Sequence, residues 1–180
     1  DSATEWYNWN RFKILCERVI RRRKQRQYAF IGFDISKFKM INDIDGHRTG
    51  DAILKNISLV LRKELHNKRE CFTRYSADEF DMLLIYDSLD ELINRIDYID
   101  KAIKKATKGK EIRLCYGVYV IDDYKLAPET MNNYVSLAKD SIKHNHTECI
   151  AMYDENMRKE RLKEQKLEEN MERGIRNREF

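Results

Sequence analysis

The feature that most restricts how this chain can fold is a run of strand length, Tyr28-Ala29-Phe30-Ile31-Gly32-Phe33-Asp34-Ile35. It stays apolar until Asp34, with no alternation of apolar and polar residues. A strand wetted on one side alternates, whereas a continuous apolar run is buried on both faces. The chain is therefore built around a central strand that helices must cover, and that strand ends in an acid.

The rest of the sequence supplies the cover. Trp6 to Arg23 carries Phe12, Leu15, Cys16, Val19 and Ile20 at near-helical spacing, which predicts an amphipathic helix. A polar loop is expected after Ile35, with Asn42-Asp43 and Asp45-Gly46 as turn signals. Ala52 to Leu65 then repeats Ile53, Leu54, Ile57, Val60, Leu61 and Leu65 as a second helix. Two strands follow, Cys71 to Tyr75 and Phe80 to Tyr86, joined by Ser76-Ala77-Asp78-Glu79 at the length of a β-hairpin. Ser88 is the expected N-cap of a helix from Leu89 to Lys105, which Gly109 ends. Ile112 to Ile121 reads as a strand, Pro128 precedes a helix from Glu129 to Lys143, and Cys149 to Tyr153 reads as a short closing strand. The order α-β-α-β-β-α-β-α-β mixes hairpins with crossovers. It predicts an α+β fold, a mixed central β-sheet of about five strands flanked by helices.

That unit spans residues 1–154. Residues 155–180 change character, being dominated by Lys, Arg and Glu with sparse apolar residues at Met157, Leu162, Leu167, Met171 and Ile175. A solvated helix projecting from the domain is the plain reading, and a helical connector to a following domain is the sharper one. The tail also accounts for much of the high charged fraction, 37% of the 180 residues.

The 35 basic residues stand against 31 acidic ones, a net charge of +4 that argues for no nucleic-acid partner. The local exception, Arg21-Arg22-Arg23-Lys24, suits the C-terminal end of a helix, where cations oppose the dipole. Cys16, Cys71, Cys115 and Cys149 form no CxxC pair, so reduced thiols in a cytoplasmic domain are expected rather than disulfides or zinc. No apolar run approaches the roughly 18 residues that span a bilayer, and no membrane contact by this segment is expected. The chain starts at Asp1 without a methionine or signal peptide, as a piece of a longer protein would.

Two acidic positions carry candidate chemistry. Asp34 ends the buried strand, and Asp78 sits in the hairpin turn with Glu79 beside it. Strand ends and turns fix a carboxylate while leaving room for a substrate. Mg²⁺ commonly takes one or two such carboxylates together with substrate phosphates.

The stretch Phe33-Asp34-Ile35-Ser36-Lys37-Phe38-Lys39-Met40-Ile41-Asn42-Asp43-Ile44-Asp45-Gly46-His47-Arg48-Thr49-Gly50-Asp51 closely resembles the F-x-D-x-D-x-F-K-x-I-N-D-x-x-G-H-x-x-G-D pattern of GGDEF domains, the diguanylate cyclase family, with one residue fewer between Phe33 and Asp34. Arg74-Tyr75-Ser76-Ala77-Asp78-Glu79-Phe80 falls where that family has R-x-G-G-D-E-F. Asp1-Ser2-Ala3-Thr4 with Asn8 and Phe12 echoes its opening, and Tyr116-Gly117-Val118 a later strand. The resemblance implies a nucleotidyl cyclase-like fold and the condensation of two GTP molecules to cyclic di-GMP across two facing domains. Carried over by position, it implies that Asp34 and Asp78 hold Mg²⁺, that Asn42 and Asp51 read guanine, and that Lys39 contacts phosphate. Phe38, Ser76 and Ala77 fall in the same substrate pocket, and Asp78, Glu79 and Lys39 in the catalytic set. Each residue also has a plainer use: Asn42 and Asp43 in capping a turn, Lys39 as a surface lysine, Asp51 as the N-cap of the helix from Ala52.

The chain departs from the pattern where turnover is decided. Ser76 and Ala77 replace the two glycines, adding Cβ atoms at a turn where glycine supplies positive φ. Ser36 replaces the second acid of D-x-D. The C-terminal lysine and arginine that meet phosphate in the family are hard to place in Ser141-Ile142-Lys143-His144-Asn145-His146, where Lys143 is the only nearby cation. The R-x-x-D product-inhibition site would fall at Asn67 to Glu70 and is absent. Glu169-Asn170-Met171-Glu172-Arg173-Gly174-Ile175 and Glu179-Phe180 resemble the lead-in to EAL domains, the cyclic di-GMP phosphodiesterases. The expectation is a GGDEF domain with an altered motif that binds GTP or a related guanine nucleotide and regulates an attached EAL domain. An active cyclase working as a homodimer, and a dimerisation module without nucleotide, are the alternatives.

Overall fold

The computed structural model describes residues 8–22, 26–65, 68–107, 110–143, 145 and 147–176. The readings made of Asp1-Ser2-Ala3-Thr4, Arg23-Lys24, Asn67, Gly109, His144, His146 and Glu179-Phe180 lie outside the described residues.

The central strand is β1 (Gln27–Ile35). It pairs antiparallel with β3 (Glu79–Tyr86) on one side and with β4 (Leu114–Val120) on the other. β2 (Cys71–Ser76) completes the hairpin with β3, and β5 (Ile150–Met152) adds to β4 in parallel. The sheet order is β2-β3-β1-β4-β5, a mixed five-stranded sheet. Its helices are α1 (Trp9–Arg22), α2 (Phe38–Asp45), α3 (His47–Glu64), α4 (Leu89–Ala106), α5 (Pro128–Ile142) and α6 (Glu155–Arg176).

Both faces of β1 are covered, which is why its sequence does not alternate. Ala29, Ile31 and Phe33 point to the face where Ile53, Leu54, Ile57 and Leu61 of α3 and Leu92, Ile96, Ile99 and Ile103 of α4 form the larger core. Tyr28 and Phe30 point the other way, against Phe12, Cys16 and Ile20 of α1 and Met131 and Val135 of α5. At the end of β1 that carries Asp34, the Phe33 ring stacks on Phe80 at 5.3 Å and lies 5.0 Å from Tyr116. Such aromatic pairs contribute about 1 kcal/mol each beyond the area they bury, so the strand end is a stiff mount.

Local signals account for the surrounding elements. Ser88 caps α4 as expected, its side chain accepting from the Glu91 N–H at 3.2 Å, while Pro128 takes the first position of α5, where its missing N–H costs nothing. Glu70, just before β2, is buried. It accepts two bonds of 2.6 Å from the Arg95 guanidinium of α4 and one of 3.1 Å from the Ile85 N–H. The fully exposed run of α6 begins after Met157, which packs near Ala138, Ile142 and Ala151. No helix among the described residues is long and apolar enough to cross a membrane.

The segment after Ile35 corrects the sequence reading. The polar loop is a helix, α2, and the helix expected from Ala52 begins five residues earlier, at His47. Lys37 turns the chain in a left-handed conformation (φ 58°) and Gly46 (φ 83°) separates the two helices. The Asp45-Gly46 turn signal was genuine, but the turn is a single residue between helices. α2 buries none of its residues fully, although Phe38 and Ile41, three residues apart, pack against the larger core. Asp51 lies inside α3 and is not its N-cap.

Candidate functional site

The acids implied by the sequence meet at one end of the sheet. Asp34 is the next-to-last residue of β1, paired across the sheet with Cys115 of β4. Asp78 occupies the tip of the β2–β3 hairpin, and its Oδ2 accepts the Ile35 N–H at 3.3 Å. That bond ties the hairpin tip to the end of β1 and brings the two carboxylates together. Burial raises the Asp78 pKa above the usual carboxylate value, and the nearby Asp34 charge raises it further, against the backbone bonds that lower it. Two carboxylates repelling each other in a half-buried notch form a site that a cation stabilises.

One cation of the chain is already there. Lys139 of α5 places its Nζ 3.2 Å from Asp34 Oδ2 and 3.4 Å from Glu79 Oε1, with only 7% of its side chain exposed. Burial alone would lower its pKa, but the Asp34 and Glu79 charges outweigh that and raise it. Lys139 is thus held as an ammonium among the acids. The sequence pointed to Lys143 as the nearby cation. That choice is corrected, since Lys143 is exposed at the C-cap of α5, one turn beyond. The signal that could have found Lys139 is its phase. It shares the buried side of α5 with Met131, Asn132, Val135, Ala138 and Ile142, where a lysine needs buried carboxylates to be tolerated.

The hairpin tip is clamped and strained. Ala77 takes φ 24°, one of two non-glycine residues with positive φ among those described. Its carbonyl accepts from Arg74 Nε at 2.7 Å, and the Ser76 hydroxyl donates to Glu79 Oε2 at 3.0 Å. Glu79 therefore stands between Ser76 and Lys139. The register of the hairpin shifts between Arg74 and Ser76.

Beside the acids, α2 follows β1 directly and packs on α3. Gly50 makes that packing close. A Cβ at Gly50 would fall 2.0 Å from Asn42 Oδ1 and 3.0 Å from the Phe38 ring. Phe38, Asn42 and Gly50 therefore form one contact, with Asp51 the next residue along α3. Lys39 and Asp51 are exposed, and among the described residues no hydrogen bond or ion pair joins either to the acids. The structure thus brings Asp34, Asp78 and Glu79 together with Lys139, and places the Phe38–Asn42–Gly50 contact beside them. Lys39 and Asp51 are exposed on α2 and α3, outside that cluster.

No group of three or more His, Cys, Asp or Glu side chains among the described residues is arranged to hold a metal. Mg²⁺ commonly takes only one or two carboxylates and completes its shell with water and phosphate, a demand that a pair such as Asp34 and Asp78 can meet.

The comparisons with known proteins bear on the family and the fold. A family model described as diguanylate cyclase, GGDEF domain, matches residues 1–149. Among curated relatives, the diguanylate cyclase DosC of Shigella sonnei is 36% identical over 89 residues, 47% of this chain and 19% of the relative. The uncharacterized protein YhcK of Bacillus subtilis is 36% identical over 90 residues, 48% of this chain and 25% of the relative. The matches thus span about a fifth to a quarter of those relatives' length. Among solved structures, the GGDEF domain of PA1120 from Pseudomonas aeruginosa superposes with a TM-score of 0.77 at 23% identity, covering 88% of this chain and 96% of that one. The GGDEF domain of DgcB from Caulobacter crescentus, solved in complex with c-di-GMP, gives 0.72 at 17% identity, covering 84% and 94%. At these identities the structures speak to the fold.

Proposed function

The chain belongs to the GGDEF domain family of cyclic di-GMP signalling, and on that premise we propose that it binds a guanine nucleotide with Mg²⁺ and turns it over poorly. The observation that carries this reading is the convergence of Asp34, Asp78, Glu79 and Lys139 at one end of the sheet. In this reading Asn42 and Asp51 hydrogen-bond the guanine edge, Phe38 backs Asn42, and Lys39 meets phosphate from the exposed side. Lys139 offsets negative charge from below, where a phosphoryl group would otherwise face uncompensated carboxylates. Asp34 and Asp78 are the residues that would hold Mg²⁺, whose contribution when bound is to neutralise phosphoryl charge.

Impaired turnover follows from the hairpin tip. Joining two nucleotides requires a 3′-hydroxyl in line with an α-phosphate, and misplacement by about 1 Å can cost a hundredfold in rate. Ser76 and Ala77 put side chains where glycines would let the nucleotide approach the backbone, while the acids Asp78 and Glu79 remain. Binding then outlasts catalysis. We place the nucleotide-binding unit at residues 1–154 and read 155–180 as a helical lead toward an EAL domain in the parent protein, which this unit would regulate.

Calorimetry with GTP and Mg²⁺ tests the binding: saturable heat that Asn42→Ala weakens is expected, and no heat at millimolar ligand would sink the proposal. The clustering of Asp34, Asp78 and Glu79 favours a second reading, an active cyclase. Steady cyclic di-GMP production that Asp34→Ala abolishes would establish it in place of the first.

A further inference from the structure

On the face of the sheet that meets α5, three residues stand in one row: Asp81 on β3, Gly32 opposite it on β1, and Gly117 opposite Gly32 on β4. The two glycines form a trough. A Cβ on Gly117 would come within 1.9 Å of the Val135 carbonyl oxygen, and one on Gly32 within 2.6 Å of Val135 Cγ2 and 3.0 Å of Asp81 Oδ1. The trough lets α5 lie close to the sheet. It offers no side chain to stop the helix sliding or rolling over two bare backbones.

Asp81 supplies what the glycines lack. Its Oδ2 accepts a bond of 2.7 Å from Asn132 Nδ2, between groups that are only 2% and 8% exposed. Asn132, Val135 and Lys139 stand at i, i+3 and i+7, on one face of the helix. A directional bond at Asn132, with Val135 over the trough, fixes the phase and height at which Lys139 arrives at Asp34 and Glu79. An apolar side chain at position 81 would pack at least as well and would spare a buried carboxyl its desolvation. Direction is what only the polar pair provides.

We infer that Asp81 and Asn132 are positioning residues that hold α5 in the register placing the Lys139 ammonium between Asp34 and Glu79, and so set the affinity of that site for nucleotide phosphate. The final clause rests on the nucleotide-binding reading; the positioning itself does not.

The test uses the full chain with carbon-13-labelled lysine and follows the Cε–Hε signal of Lys139, assigned by its loss in Lys139→Arg. Asp81→Ala and Asn132→Ala should move that signal toward the position of the exposed lysines. Asp81→Asn, whose amide oxygen can still accept from Asn132, should move it only by the loss of the Asp81 charge, and clearly less than Asp81→Ala. Ile57→Ala, in the core on the opposite face, lowers stability and should not move it. In parallel, GTP affinity measured with Mg²⁺ should fall about tenfold in Asp81→Ala and Asn132→Ala, the weight of one lost bond to a charged group, and stay within about twofold in Asp81→Asn. An unmoved Lys139 signal in both alanine variants overturns the inference, as does an equal shift in Ile57→Ala. Should the wild-type chain give no binding heat, the nucleotide reading fails while the lysine signal still decides the positioning.

Discussion

Replacing Asp81 by Asn should change how the stability of the whole domain depends on pH. The Asp81 carboxyl is buried on β3, and its pKa is raised from 3.8 to about 7. Burial is the main cause and the Glu79 charge adds to it, while the Asn132 bond and the Lys139 charge pull the other way. An acid whose folded pKa lies above its unfolded value binds its proton more tightly in the native state. Between pH 4 and 7 the unfolded chain has released that proton and the native chain keeps it, so wild-type stability falls as pH rises through this window and levels off above it. From pH 5 to pH 8 the loss traceable to this group is about 2 units at 1.36 kcal/mol each, or roughly 3 kcal/mol. Asn has nearly the same shape, can accept the Asn132 bond and does not titrate. Urea unfolding of both proteins at pH 5, 6, 7 and 8 should show Asp81→Asn gaining on the wild type by about 3 kcal/mol across the series. Two curves that run parallel within about 0.5 kcal/mol would refute the assignment of Asp81 as a buried acid that ionises near neutrality.

Other perturbations test other parts of the structure. Ala77→Gly should stabilise the domain by about 1 kcal/mol in urea melts, because it removes the positive-φ strain at the hairpin tip. Arg95→Met should leave the Glu70 carboxylate buried without its guanidinium and cost about 3 kcal/mol in urea unfolding. Gly117→Ala should cost about 3 kcal/mol in thermal or urea unfolding, since its Cβ would drive into the Val135 carbonyl and lift α5 from the sheet. Lys139→Met should weaken GTP binding in calorimetry by about tenfold, by removing a charge that offsets phosphate and Asp34.

The parts of this fold that were legible in the sequence are those whose signal is local. β1 announced its two covered faces by failing to alternate, and Ser88 announced α4 by capping chemistry that needs only Glu91, three residues on. α2 gave a weaker signal, since it is only eight residues long and Phe38 and Ile41 are only partly buried against the core. Its polar side chains, Lys39, Asn42 and Asp43, are the composition of a loop until the backbone is seen. The acids of the site were legible through motif and position. Their cation was not, because what makes Lys139 a site residue is contact with Asp34 and Glu79, on strands distant in the chain. The same holds for Asp81. In a run reading Glu79-Phe80-Asp81-Met82-Leu83-Leu84 it looks like an ordinary polar residue of a strand. Only the packing of α5 over Gly32 and Gly117 shows that this polar position faces inward. Apolar positions in a core are largely interchangeable and are read from period alone. A polar group in the core is chosen for one partner at one distance, so it becomes interpretable when the partner is known. That is why the residues best placed to control this site, Lys139, Asn132 and Asp81, are those that pattern reading passes over.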